Sequence, residues 1–395
     1  MPSALPGQTW SSLNRAANEA VKAGDYARLR DLLLQLQPLM PGNFRNQYNL
    51  AATEARLQNN SAAMAELRFL AMTGLIFDPR TDEDFNTLAS HPQWLSLLTL
   101  IDGNKQAVTR SQLALTIPER DLLPESIAYD RRAKRFLISS VRQAKIVTAD
   151  GKLFAKAEWP VFALAIDAKR RLLWASTGWV RQCEACSKAD EGKSALLAFD
   201  LATGALRHRV DSPLKGLLGD MTISKAGELF VSSGVGGGAV LRLPPGAQAL
   251  ERLDEPGEFP SPQTPALSPD EKTLYVPDYV RGIASINLAT RAVSWLQPGL
   301  GFVLSGIDGL YLHRDSFVAV QNGTRPARVI ELSLDLRRQR LLEANWPGLG
   351  EPAHGEFVGD WFYYVANSGW DAYDRKGDRK AGPPVVSTIQ RLRLR

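Results

Sequence analysis

Glu125-Ser-Ile-Ala-Tyr-Asp, Phe162-Ala-Leu-Ala-Ile-Asp, Gly219-Asp-Met-Thr-Ile-Ser, Gln263-Thr-Pro-Ala-Leu-Ser, Asp308-Gly-Leu-Tyr-Leu-His and His354-Gly-Glu-Phe-Val-Gly begin alike. Their successive offsets are 37, 57, 44, 45 and 46 residues. After most of them a polar turn leads to a second apolar run. These runs are Arg135-Phe-Leu-Ile-Ser-Ser, Arg171-Leu-Leu-Trp-Ala-Ser, Glu228-Leu-Phe-Val-Ser-Ser, Thr273-Leu-Tyr-Val-Pro-Asp, Ser316-Phe-Val-Ala-Val and Trp361-Phe-Tyr-Tyr-Val-Ala. Several short strands recurring every 40–50 residues or so are the signature of a β-propeller blade. Six such repeats predict a six-bladed β-propeller around a channel, over residues 118–395. The fold class is therefore mainly β.

Residues 1–105 read differently. Leu13, Ala16, Ala17, Ala20 and Val21 recur at helical spacing. Gly24 ends that helix and Asp25 caps the next, which carries Leu29, Leu32, Leu33 and Leu36. The pattern returns 35 residues later, with Ala51-Ala52 for Ala16-Ala17 and Leu67 for Leu32. Paired helices at this period resemble tetratricopeptide hairpins. A fifth helix, from Asp82 through Leu100, is expected to cover the stack. Two repeats are few for independent stability, so this small all-α domain is expected to pack on the propeller. It serves as a cap or spacer, or as a groove for a protein partner. Asp102-Gly-Asn-Lys105 reads as a linker, and residues 106–117 as linker plus strand. Ser111–Ile117 alternates polar and apolar residues and is expected to close the ring against the C-terminal run from Val385.

Bulk composition excludes several classes. Hydrophobic residues make up 44% and charged residues 23%, ordinary values for a globular chain. The net charge of +5 is spread along the chain, apart from the tail Gln390–Arg395 and the run Asp374–Lys380. The tail alternates charge and apolar residues like an edge strand, so no nucleic-acid partner is expected. No apolar run reaches membrane-spanning length. No signal peptide is visible. The Met-Pro-Ser start suits a native cytoplasmic chain or a mature exported one with an added Met. Cys183 and Cys186 lie in the insertion behind the 57-residue offset. One Cys-x-x-Cys is too few ligands for zinc, so a local disulfide is expected if the protein is exported, with the loop near the channel mouth. Gly234–Gly238 reads as a tight hairpin, because no helix follows to make it a phosphate loop.

The repeat register locates a candidate site. The innermost strand of a blade runs along the channel, so its first residues gather at one end: Glu125, Phe162, Gly219 with Asp220, Gln263, Asp308 and His354. Glu125 and Asp308 lie four steps round the ring and are expected to face each other across it. Buried like charges repel, and a cation between them restores balance. One divalent metal ion is therefore expected on Glu125, Asp308, Asp220 and Gln263. Ca²⁺ is the first choice, with Mn²⁺ or Zn²⁺ if His354 ligates. The competing account has these groups capping strands and binding channel water. Substrate-binding walls are expected from Phe162, Gln263, Trp159, Phe302 and Trp346. Asn322 and Asn367 read as turn formers.

These residues resemble a family. Leu123-Pro-Glu125-Ser-Ile-Ala-Tyr-Asp is similar to the opening Glu motif of the senescence marker protein / gluconolactonase family. Ser268-Pro-Asp-Glu-Lys-Thr-Leu-Tyr-Val-Pro-Asp278 is similar to its blade hairpin, and Ile307-Asp308-Gly-Leu sits where that family has Pro-Asp-Gly. The resemblance implies a six-bladed propeller with one divalent ion held by a Glu, an Asp and one or two Asn. It also implies that the Asp is general base in lactone hydrolysis. Glu125 and Asp308 match the acids, whereas Asp220 and Gln263 stand where Asn is expected. The implied function is a metal-dependent lactonase or esterase acting on a small molecule. Asp308 would then be the base, and His354 would donate to the leaving alkoxide or hold substrate. The alternative is a non-catalytic propeller that binds a ligand or a protein.

Overall fold

The computed structural model describes residues 9–184, 186–234, 237–374 and 376–394. Six four-stranded antiparallel sheets form the blades of the propeller. Five are contiguous in sequence, and their innermost strands are Ile127–Asp130, Val161–Asp167, Met221–Ile223, Ala266–Leu267 and Gly309–His313 (blades 1 to 5). Blade 6 takes Gly355–Val358, Trp361–Val365 and Thr388–Arg393 from the C-terminal end and Gln112–Thr116 from before blade 1. Gln112 pairs with Arg391 and Thr116 with Thr388, so the ring closes by hydrogen bonds between distant ends of the chain. Closure satisfies an edge that an open ring would leave unpaired.

Strands buried on both faces need apolar residues without strict alternation. Blade 2 shows this in Leu172–Thr177, buried throughout. The large cores lie between neighbouring blades. Leu137, Ile146, Leu173, Leu197 and Phe199 join blades 1 and 2, and Leu310, Phe317, Ile330 and Leu332 join blade 5 to Ile283 of blade 4.

The N-terminal region holds α1 (Trp10–Ala23), α2 (Tyr26–Leu36), α3 (Phe44–Arg56), α4 (Asn60–Met72) and α5 (Trp94–Gly103). Gly24 ends α1 in the left-handed conformation at φ 67°, and the Asp25 carboxylate accepts from Arg28 N to start α2. The single covering helix expected from Asp82 to Leu100 is instead a 3₁₀ segment, Glu83–Ser90, followed by α5. His91-Pro92 separates them, since the residue before proline is driven out of the helical region. Phe85, Leu88, Trp94 and Leu97 still cover the stack, packing on Ala51, Met64 and Leu67.

The helical region packs on blades 4 and 5. Val303 inserts between Leu70 and Leu75, and Ile76 N donates to Arg325 O. The buried Arg328 guanidinium donates to Thr73 O at 2.7 Å and to Gln321 Oε1 at 2.6 Å. Cys183 and Cys186 are joined as a disulfide. Ser233 and Ala239 pair across the Gly234–Gly238 connection, of which Val235 and Gly236 lie outside the described residues. Among the described residues no helix is long and apolar enough to cross a membrane.

Candidate functional site

A hydroxyl at the end of the second strand pins the start of the innermost one. Ser139 Oγ accepts from the amides of Glu125 and Ser126, and Ser232 Oγ accepts from that of Asp220. In blade 5 the same place is held by backbone alone, Asp308 N donating to Val320 O. Adjacent blades are stitched at this level, with His354 N donating to Glu125 O and Thr264 N to Asp308 O. The side chains that follow from this lattice converge on the channel.

Glu125, Asp308 and His354 bring one ligand atom each to within 4.8 Å of one another. His354 Nε2 lies 3.1 Å from Asp220 Oδ1 and 3.6 Å from Asp308 Oδ2. The expected placement of Glu125 opposite Asp308 is corrected here. Four steps one way round six blades are two steps the other, so blades 1 and 5 flank blade 6 and its His354. Asp220, rather than Gly219, is the blade 3 residue in register with Asp308 and His354, whereas Glu125 enters from one residue earlier in its blade. Gln263 sits one residue out of register and its amide turns away, donating to Ser261 O and Oγ, each at 3.1 Å.

Three carboxylates, two of them buried and Asp308 nearly so, face one buried imidazole. Burial pushes Glu125 up to about 8; Asp308 and Asp220 add to that, while His354 and a bond from Trp370 oppose it. Burial likewise holds Asp220 at about 7 and raises Asp308. Burial disfavours the imidazolium of His354, but Asp220, Asp308 and Glu125 outweigh it and raise its pKa. His354 Nε2 is buried without a well-aligned hydrogen bond. Oxygen and nitrogen donors clustered around an unsatisfied imidazole nitrogen fit a divalent cation, with Glu125, Asp308 and His354 as the residues able to hold it and Asp220 beside them.

Residues not expected at the site complete it. Asn322, read as a turn former, donates from Nδ2 to Asp308 Oδ2 at 2.7 Å and accepts from the Tyr279 hydroxyl at 2.9 Å. Gly323 makes this possible, because a Cβ there would meet the Tyr279 ring at 2.5 Å. Trp370 Nε1 donates to Glu125 Oε1. Glu351, pushed up to about 7 by burial and by Asp308, stands at the same end.

The expected walls divide. Phe162 packs near the mouth with Val180, Leu217, Trp370 and Tyr373, so the insertion carrying the disulfide does reach this end. Trp159 is 2% exposed in the core between blades 1 and 2, and Phe302 is buried between blades 4 and 5. Trp346 packs at the junction of blades 5 and 6. Residues just before an innermost strand run through the blade interface, which is why these three fill cores instead of lining the channel.

No family model matches the chain, and no curated protein matches it in sequence. Among solved structures it is similar to the PQQ-bound form of aldose sugar dehydrogenase from Streptomyces coelicolor, at 13% identity and TM-score 0.45, over 71% of this chain and 98% of that one. It is also similar to a chain of the nidogen/laminin complex, at 11% identity and TM-score 0.44, over 60% and 91% respectively. At these identities the likeness concerns the fold alone.

Proposed function

We propose that the protein is a metal-dependent hydrolase of the lactonase or esterase type, acting at the channel mouth. One observation carries the reading: two buried carboxylates, Glu125 and Asp220, a third nearly buried one, Asp308, and a buried imidazole gather without enough positive charge to balance them. The imidazole in the cluster favours Mn²⁺ or Zn²⁺ over Ca²⁺. A cation held there would polarise a substrate carbonyl and stabilise the oxyanion that forms when it is attacked. Asp308 takes the proton of the attacking water. Asn322 holds its second function, fixing the carboxylate through Oδ2. His354, facing the cluster through Nε2, would help to hold the cation and so fix where the substrate carbonyl sits. The resemblance of the segments around Glu125 and Asp308 to the gluconolactonase family implies the same chemistry, with Asn322 holding Asp308 rather than a metal.

The test combines metal analysis with a pH-indicator screen over lactones and esters. Purified protein should retain Mn²⁺ or Zn²⁺ after dialysis. Asp308→Asn should lower turnover about 10³-fold, the usual worth of a general base, while the fold survives. Protein that stays metal-free after exposure to Ca²⁺, Mn²⁺ and Zn²⁺, or an Asp308→Asn variant near the wild-type rate, would end this reading.

A further inference from the structure

We propose that the helical region forms one side of the channel mouth and that Arg45 there receives a carboxylate of the ligand, so the substrate class is anionic. This rests on the acid cluster being the ligand site. The start of α3 is clamped to the blade 4 and blade 5 loops beside that cluster. Leu304 N donates to Gly42 O at 3.0 Å, Asn43 Nδ2 to Val280 O at 2.6 Å and Phe44 N to Ser305 Oγ at 3.3 Å. Arg45 follows directly, exposed in the first turn of the helix. Val280 adjoins Tyr279, whose hydroxyl leads through Asn322 to Asp308. The loop that α3 is clamped to thus also carries the tyrosine bonded, through Asn322, to the candidate base.

Two electrostatic features make Arg45 a recognition group. Among the described residues it makes no ion pair, and its guanidinium lies 5.6 Å from the centre of the Phe44 ring. Its charge reaches the site, since it lowers the Tyr279 phenol against the upward push of burial and Asp308. Acids also stand at the mouth: Glu351 lies near Asp308 and Asp371, and both push its pKa up after burial does. A ligand carboxylate is repelled by these acids and attracted by the cation site and by Arg45. The positive end of the α3 dipole adds to the attraction. A ligand carrying a second anionic group would therefore set its reacting carbonyl at the cluster and that group at the helical side.

The experiment measures calorimetric binding of D-gluconate and D-glucarate to the full chain loaded with Mn²⁺. The two probes differ by one carboxylate. Wild type should prefer D-glucarate by roughly fivefold, as expected for a partly exposed charge pair, and added salt should shrink the preference. Arg45→Ala should erase it and Arg45→Glu should reverse it, whereas Arg28→Ala, on the exposed face of α2, should leave it unchanged. Circular dichroism checks that each variant folds. Wild type without the preference, or without binding to either probe, overturns the inference, as does Arg45→Ala that keeps the preference. If the preference depends on Arg45 but no lactone or ester is hydrolysed, the catalytic reading fails and this inference stands.

Discussion

Replacing Glu125 by Gln should make the metal-free protein more stable above neutral pH while weakening its hold on metal. Glu125 sits at about 8 in the folded chain against an ordinary 4.5. The native state therefore keeps a proton that the unfolded chain releases, and stability falls as pH rises from the lower value to the higher. At about 1.4 kcal/mol per unit, the interval from about pH 5 to pH 8 costs on the order of a few kcal/mol, shared by Glu125 and the acids that titrate with it. Asp220, at about 7, titrates in the same direction. Gln resembles the protonated acid in shape and charge, and its Oε1 can still accept from Trp370 Nε1. The variant removes the share of the slope that belongs to Glu125.

The assay is thermal unfolding of chelator-treated protein across about pH 5 to 8, wild type against Glu125→Gln. Near pH 8 the variant should melt several degrees higher, given the size scaling of such shifts. The two curves should approach each other near pH 5. Millimolar Mn²⁺ should then raise the wild-type midpoint strongly and that of the variant little, because ligand binding stabilises only a chain that can bind. Metal-free wild type whose stability rises from pH 5 to 8, or a variant less stable than wild type at pH 8, would refute the electrostatic account.

Trp370→Phe should leave the Glu125 carboxylate without its N–H donor and push its pKa further up. Mn²⁺ affinity near neutral pH, measured calorimetrically, should fall about tenfold; unchanged affinity would separate Trp370 from the site. Arg328→Met should strip donors from Thr73 O and Gln321 Oε1, costing roughly 2–4 kcal/mol for buried groups left unpaired. The helical region should become the first part cut in limited proteolysis, and a wild-type cleavage pattern would show that Val303 and its neighbours hold it alone.

The ease of reading this sequence follows the range of the interactions involved. A blade is a local object, so its two-run pattern shows plainly in segments such as Glu228–Ser233 and Thr273–Asp278. Helix ends are just as local, and Gly24 and Asp25 act as their residue types require. Register was harder, because a shift of one residue changes which side chain enters the channel, as Gly219 against Asp220 and Gln263 against Thr264 show. The site itself is the least local feature. Trp370 reaches Glu125 across 245 residues, and nothing near either one in sequence announces the other. Asn322 is only 14 residues from Asp308, yet its role depends on Gly323 letting the Tyr279 ring come close. One signal was present and went unread. Ser139-Ser140, Ser176-Thr177 and Ser232-Ser233 end the second runs of blades 1 to 3, where a buried strand has little reason for hydroxyls unless they bind backbone. Ser139 and Ser232 bind the amides of Glu125 and Asp220, and Ser176 binds that of Ala163. Counting back from Ser232 to the amide it satisfies leads to Asp220, not Gly219, while Ser139 serves both Glu125 and Ser126.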